Sequence, residues 1–354
     1  TVMKKLKVGL IGYGSGGRIF HEPLINSVEG FELQRIFNRS GKDNDQLIEK
    51  YGRHIIADKA DDILSDPEID LVVIALPNFM HFEIAKKALK KGKHVLVEKP
   101  FTVTPYEADQ LIALSKKAGK IITVNHNRRY DSDFRTVKKI LDAGFLGNTV
   151  EYEAHFDRFR SEVRQGSWKE DTAPGSGILY DLGSHLIDQA KALFGMPEEI
   201  FACLDIQREG ARTTDSFDIL LRYSNFTARL KAGMLVREQG PKYTIHGTRG
   251  SFIKYGMDVQ EHCLKQGELP VDRPDWGKEP ESIWGRLNTD IEGVHFCGNI
   301  ESEHGDYQMV YKNLHDAICG SGMLHITPEQ ARDTIRLIEL AQKSSEMKCW
   351  ISVN

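Results

Sequence analysis

Strand-type residues Leu6–Ile11 run directly into Gly12-Tyr13-Gly14-Ser15-Gly16-Gly17, and that junction restricts the first third of the chain more than any other feature. A Gly-x-Gly-x-x-Gly match is weak alone, because 31 glycines make chance matches common. Context strengthens it: a buried strand precedes the glycines and a helix-like stretch begins at Arg18. Gly12 then serves a tight turn, Gly14 the close approach of a diphosphate, and Gly17 close helix-on-strand packing. The helix N-terminus adds free N–H groups for phosphates. Pro23 should kink or shorten that helix.

Strand and helix then alternate. Strands are expected at 32–37, 54–57, 71–76, 95–97 and 121–124, with amphipathic helices at 42–51, 81–91 and 105–117. This pattern predicts a doubly wound (Rossmann) parallel α/β sheet over residues 1–125, with a dinucleotide as ligand. The second strand ends in Asn38-Arg39-Ser40, where an NAD site places an acid roughly twenty residues after the glycines. A carboxylate repels a 2′-phosphate, whereas an arginine fork and a hydroxyl hold it, so NADP is expected, with NAD possible. Alternatively, Arg39 stacks on the adenine and Asn38 bonds the ribose, giving dual specificity. Leu76-Pro77-Asn78 should face the cofactor's second half; His81, opening the next helix, is either a cofactor contact or a satisfied structural histidine.

At the exit of the fifth strand stand Glu98, Lys99 and Pro100, where open parallel sheets bind their ligands. A charged lysine delivered there by a buried strand is a candidate for chemistry; the plain reading is an exposed residue at a strand end. The stretch from Asn125 to Tyr130 is the expected hinge and site wall between two domains, with His126, Asn127 and Arg128 as candidate contacts.

A length of 354 residues suits about two domains. The net charge of −4 gives no electrostatic case for nucleic acid or an anionic membrane. The longest apolar runs fall far short of the ~20 residues a membrane span needs. Thr1 to Lys5 show no cleavable signal pattern, and Met3 is the expected natural start. Cys203, Cys263, Cys297, Cys319 and Cys349 form no Cys-x-x-Cys and read as reduced thiols of a cytoplasmic chain. No metal-ligand spacing occurs, so no metal is expected.

Residues 126–354 follow a different pattern. After a helix at 133–143 come strand candidates at 150–159, 200–208, 217–223, 227–236 and 243–246, with Ser224-Asn225 as a compact link. This predicts an α+β domain on an open, mainly antiparallel sheet, whose exposed face, with Leu220, Tyr223 and Leu230, could pair subunits. Within it, Leu182, Leu186, Ala190 and Leu193 mark an apolar helical face. Asp181, His185 and Asp188 share another, so Asp181 could orient the imidazole of a proton-accepting His185. The plain alternative is a surface Asp–His pair. Arg158, Arg160 and Trp168 are candidate wall residues, with core or lid packing equally open for Trp168. Residues 267–280 read as a long loop that covers the substrate or a partner subunit, and a closing helix should follow Thr327.

Glycines 12, 14 and 17, Glu98-Lys99-Pro100 and Asp181-x-x-x-His185, in that order, resemble the Gfo/Idh/MocA family of glucose-fructose oxidoreductase and inositol dehydrogenase over essentially the whole chain. The match is most similar to the NADP-dependent scyllo-inositol dehydrogenase branch, through 126–129, 180–185, 245–247 and 251–256. The resemblance implies a catalytic group of Lys99, Asp181 and His185, often with a cis Lys-Pro peptide that aims the lysine inward. It further implies a small polyol, cyclitol or sugar as substrate and a homodimer or homotetramer. The departure is Asn38 in place of the acidic ribose ligand. Two rivals are an NAD(P)-binding regulator without catalysis and an NAD-dependent glycosidase on the same fold.

Overall fold

In the computed structural model, which describes residues 5–353, the first strand β1 (Leu6–Ile11) fully buries Val8, Leu10 and Ile11. Residues 1–4, with the expected start at Met3, and residue 354 lie outside that range. A π-helical turn, Gly16–His21, leads into α1 (Glu22–Ser27), where Pro23 stands in the first turn of a helix six residues long. Proline is tolerated there because its missing N–H would have no intrahelical partner. The helix expected from Arg18 is therefore divided and shortened.

Next come β2 (Phe31–Phe37), α2 (Asn44–Tyr51), β3 (Ile56–Ala57), α3 (Ala60–Ser65), β4 (Leu71–Ile74), α4 (His81–Lys90), β5 (His94–Val97), α5 (Pro105–Ala118) and β6 (Ile122–Val124). The sheet order is β3-β2-β1-β4-β5-β6, with every pairing parallel. The order reverses beside β1, so β1 and β4 flank the switch point where such sheets bind ligands. Two expectations need correction. The strand at 54–57 shrinks to Ile56–Ala57, because a 3-10 turn, Arg53–Ile55, follows the left-handed Gly52. The helix α3 was not foreseen; its first turn carries Asp61 and Asp62, and Asp62 accepts the Lys59 N–H at 2.9 Å.

The second region contains α6 (Ser132–Asp142), β7 (Thr149–His155), α7 (Ser184–Phe194), β8 (Glu199–Asp205), β9 (Ser216–Arg222), β10 (Thr227–Gly233), β11 (Tyr243–Gly247) and β12 (Gly250–Lys254). After α8 (Gln260–Lys265) follow β13 (Gly285–Ile291), β14 (Val294–Ile300), α9 (Gln308–Cys319), α10 (Pro328–Met347) and β15 (Ile351–Ser352). Nine strands make one sheet, β14-β13-β12-β11-β7-β10-β9-β8-β15, in which only β7 and β10 pair parallel. The mainly antiparallel sheet is thus observed. Residues to Asn127 form one compact unit with Gln260–Pro274 and Tyr307–Arg332; the rest form a second.

Register corrects the expected exposed face. Leu230 lies opposite Ile219, both fully buried, and Tyr223 is buried too; only Leu220, opposite Arg229, belongs to the half-exposed face. Beyond the loop expected over 267–280 lies a hairpin of β13 and β14 that was not foreseen. Its turn, Glu292-Gly293, has both φ angles positive, as a two-residue hairpin connection demands. The inward positions of β13 include Gly285 and Thr289, which carry little apolar signal. Nor is the preceding stretch a free cover: Trp276 and Glu279 are buried. Thr327 caps α10 as expected, accepting from the Gln330 N–H at 3.3 Å. No helix among the described residues is long and apolar enough to cross a membrane.

Candidate active site

In the first unit, backbone geometry builds the glycine loop. Gly12 adopts φ +106°, and a Cβ there would stand 2.3 Å from the Ala75 carbonyl oxygen. A Cβ at Gly17 would meet the Gly12 carbonyl oxygen at 2.2 Å, whereas one at Gly14 would meet nothing within 4 Å. Gly14 therefore faces open space, as close approach by a diphosphate requires, with Ser15 exposed and Gly16 half-buried beside it. Tyr13 points elsewhere: its hydroxyl donates to Glu22 at 2.7 Å, and burial first, then that bond, pushes its ionisation upward. Lys50 and Tyr51 of α2 also donate to Glu22, tying the glycine loop to that helix.

At the end of β2, Asn38 bonds inward. Its amide donates to the Lys42 carbonyl and to Asn44, and its oxygen accepts from Ser40 at 2.9 Å. Arg39 is exposed and has no hydrogen-bond or ion-pair partner among the described residues. After β4, Leu76 and Pro77 are half-buried, and Asn78 is 1% exposed with both amide atoms unpartnered. A buried amide without partners is costly unless a ligand satisfies it. The open cradle at Gly14, the unengaged guanidinium of Arg39 and the orphaned amide of Asn78 fit a dinucleotide.

His81 is a strut rather than an open contact. Its ring nitrogens lie 2.9 Å from the Pro100 carbonyl and 2.8 Å from the Leu76 carbonyl, and burial holds its basicity below the ordinary range against those two acceptors. The Lys99–Pro100 peptide is cis. Glu98 is held by three donors. One oxygen accepts from His21 at 2.8 Å and Asn125 at 2.6 Å; the other accepts the Lys99 N–H at 3.0 Å. Burial favours protonation, but the His21 bond and charge, the Lys99 ammonium and the Asn125 bond outweigh it and lower Glu98 to about 2. His21 in turn meets the Tyr311 hydroxyl at 2.7 Å. The sequence reading missed His21 and Tyr311, which are 290 residues apart and share no motif.

In the second unit, His185 is buried and stacks on Phe156, with ring centres 6.4 Å apart. The guanidiniums of Arg128 and Arg158 lie 5.0 and 5.1 Å from the same ring. The structure thus gathers Arg128, Arg158 and His185 around one unforeseen aromatic. His126 and Asn127, the end of the first unit's opening segment, are buried. Arg128 also donates to Asp131 at 3.2 Å, and Arg129 holds Asp188 through two 2.7 Å bonds. Both pairs are buried rather than solvated.

Asp181 sits in a π-helical turn, Leu179–Gly183, so the regular helical phase assumed between it and His185 does not apply. Its carboxylate accepts from Lys169 at 2.6 Å. Trp168 is half-buried at the start of a 3-10 turn, and Arg160 is exposed. Among the described residues, no group of three or more acidic, histidine or cysteine side chains could hold a metal.

Comparison with known proteins agrees with these features. Residues 6–126 match the family model "Oxidoreductase family, NAD-binding Rossmann fold", and 138–353 match "Oxidoreductase family, C-terminal alpha/beta domain". The chain is 42% identical over 348 residues to the uncharacterized oxidoreductase YdgJ of Escherichia coli, covering 98% of each. It is 36% identical to the scyllo-inositol 2-dehydrogenase (NADP(+)) IolW of Bacillus subtilis, covering 97% of this chain and 94% of the relative. A solved structure of the oxidoreductase yvaA from Bacillus subtilis superposes with a TM-score of 0.95 at 36% identity, covering 100% of both chains.

Proposed function

The chain belongs to the Gfo/Idh/MocA oxidoreductase family, and from that membership we propose an NADP-dependent dehydrogenase acting on a secondary alcohol of an inositol-like cyclitol or sugar. The name of the IolW relative supports the substrate class and the cofactor. The observation that carries the reading is Glu98: an ionised carboxylate fixed by His21 and Asn125 at the exit of β5, which holds the backbone of Lys99.

Residues 1–125 would bind the cofactor, with Gly12 to Gly17 along the diphosphate, Arg39 and Ser40 at the 2′-phosphate, and Asn78 toward the nicotinamide half, joined there by Asn127. Residues 126–354 would hold the substrate. When bound, the nicotinamide supplies the hydride acceptor or donor. His185 takes the hydroxyl proton as the alcohol becomes a ketone. Asp181 orients the hydroxyl or the imidazole. Lys99, as a cation, stabilises developing alkoxide and polarises the carbonyl in the reverse direction. Arg158, Trp168 and His126 would line the sugar. We further propose that the half-exposed face of the nine-stranded sheet pairs subunits as a homodimer or homotetramer. Its five unbridged cysteines suit the reducing cytoplasm.

The test is a screen of inositols and aldoses with NADP+ and NAD+, following absorbance of the reduced cofactor. Turnover of a cyclitol with NADP+ preferred is expected; a chain inert toward all of them would overturn the reading. Arg39→Ala should raise KM for NADP+ by about 1.5–3 kcal/mol equivalent and leave NAD+ nearly unchanged. A loss under about 1 kcal/mol would remove the phosphate role from Arg39.

A further inference from the structure

Residues 157–176 hold a β-bridge from Phe159 to Leu235 and a 3-10 turn, Trp168–Glu170, and are otherwise irregular, yet they are fastened at a buried point. Arg208, with its side chain 2% exposed, donates to Asp215 at 2.9 Å and to Glu170 at 2.7 Å. The same guanidinium reaches the carbonyl oxygens of Arg160 and Glu162, at 3.5 and 3.2 Å. Asp215 is itself fixed by the N–H groups of Gln207 and Arg208, at 2.7 and 3.0 Å. One planar cation thus grips both ends of the segment 160–170, which an ammonium could not do with the same geometry. Between those grips the chain presents Lys169, whose ammonium meets Asp181 at 2.6 Å.

We infer that Lys169 is a positioning residue for Asp181, delivered to it by a loop that Arg208 clamps through Glu170. The inference rests on the proposed role of Asp181. The Lys169–Asp181 pair is half-exposed on the lysine side, so it contributes little to folding stability. What it does supply is a direction, because it fixes one oxygen of the carboxylate and with it the plane of the group. The burial lies at Arg208, which sets where the lysine stands. Of the three residues Trp168, Lys169 and Glu170, one closes the clamp and its neighbour does the positioning.

The experiment compares Lys169→Met, Lys169→Arg, Glu170→Gln and Asp181→Asn in the full-length protein, with scyllo-inositol as the probe substrate. Lys169→Met should lower kcat/KM for the polyol about tenfold to a hundredfold, while NADPH affinity and Tm stay at wild-type values. Lys169→Arg should restore most of that loss, because it keeps the cation. Wild-type kcat/KM in Lys169→Met, or a loss that Lys169→Arg does not rescue, overturns the inference. If Asp181→Asn is impaired while Lys169→Met is not, only the inference fails; if Asp181→Asn itself turns over normally, the reading of the site fails. The clamp is tested without substrate: Glu170→Gln should speed amide hydrogen exchange across 160–171 selectively. Unchanged exchange there overturns the role given to Arg208.

Discussion

Glu98 in the first unit and Asp131 in the second are both shielded carboxylates, yet they settle at opposite ends of the acid range. Glu98 accepts from His21, Asn125 and the Lys99 N–H and is lowered to about 2. Asp131 is fully buried and has Arg128 at 3.2 Å and Lys242 at 3.7 Å, but Asp258 and Asp133 crowd it as well. Burial pushes it up first; Arg128 and Lys242 resist, Asp258 and Asp133 add to the rise, and it reaches about 7. Burial favours protonation in both places. What differs is the company: donors with few competing acids around Glu98, several acids sharing two cations around Asp131.

That contrast can be broken or sharpened by substitution. The largest effect is expected for Lys99→Met, which leaves Glu98 in place but removes the charge it accompanies. kcat should fall by about 10²–10³-fold with NADPH affinity kept, as measured by steady-state kinetics and fluorescence titration. Turnover within about tenfold of wild type would mean Glu98 is fixed for some other purpose.

Next in size is Glu279→Ala. Glu279 accepts from Ser132 and Ser302 at 2.8 and 2.5 Å and faces the fully buried Lys254 at 3.0 Å. Removing it strands a buried ammonium, and urea unfolding should show a loss of about 3–5 kcal/mol. A loss below about 1 kcal/mol would show that the second unit's ionic core tolerates unpaired charge.

His21→Ala should cost about 1.5–3 kcal/mol at neutral pH, through a lost bond to a charged acceptor. Because Glu98 is depressed in the folded protein, its contribution is present above its unfolded value of 4.5 and is lost as pH falls toward about 2. In the variant that loss should begin at higher pH, so the midpoint of acid unfolding rises. An unshifted midpoint would take His21 out of the account.

Asp131 has the opposite sign. Its folded value is raised, so its contribution is full below about 3.8 and is lost as pH rises through about 7. Asp131→Asn should therefore gain on the wild type in stability as pH increases from 4 to 8. A difference that stays flat across that range would place Asp131 ionised throughout.

Legibility followed the same division between the units. The glycine fingerprint, the strand ends at Leu76 to Asn78 and Glu98 to Pro100, and the helices α2, α4 and α5 could be read because each depends on local spacing. Even there the reading of His81 left open what the carbonyls of Leu76 and Pro100 decide. In the second unit the hairpin of β13 and β14 escaped notice, since its inward positions are as small or polar as Gly285 and Thr289. Leu230 was read as exposed because alternation alone cannot say which face of a strand meets the core; pairing with Ile219 does.

The amino-acid order by itself determined the parallel sheet, its glycine loop, the absence of an acid at Asn38 and the family motifs, because these are properties of neighbours along the chain. Tertiary structure alone decided that His21 and Tyr311 stand behind Glu98, that Phe156 underlies His185, and that Arg208 governs Lys169. Side chains far apart in sequence leave no periodic trace, and a buried charge reveals its partners only once the fold has removed water from around it.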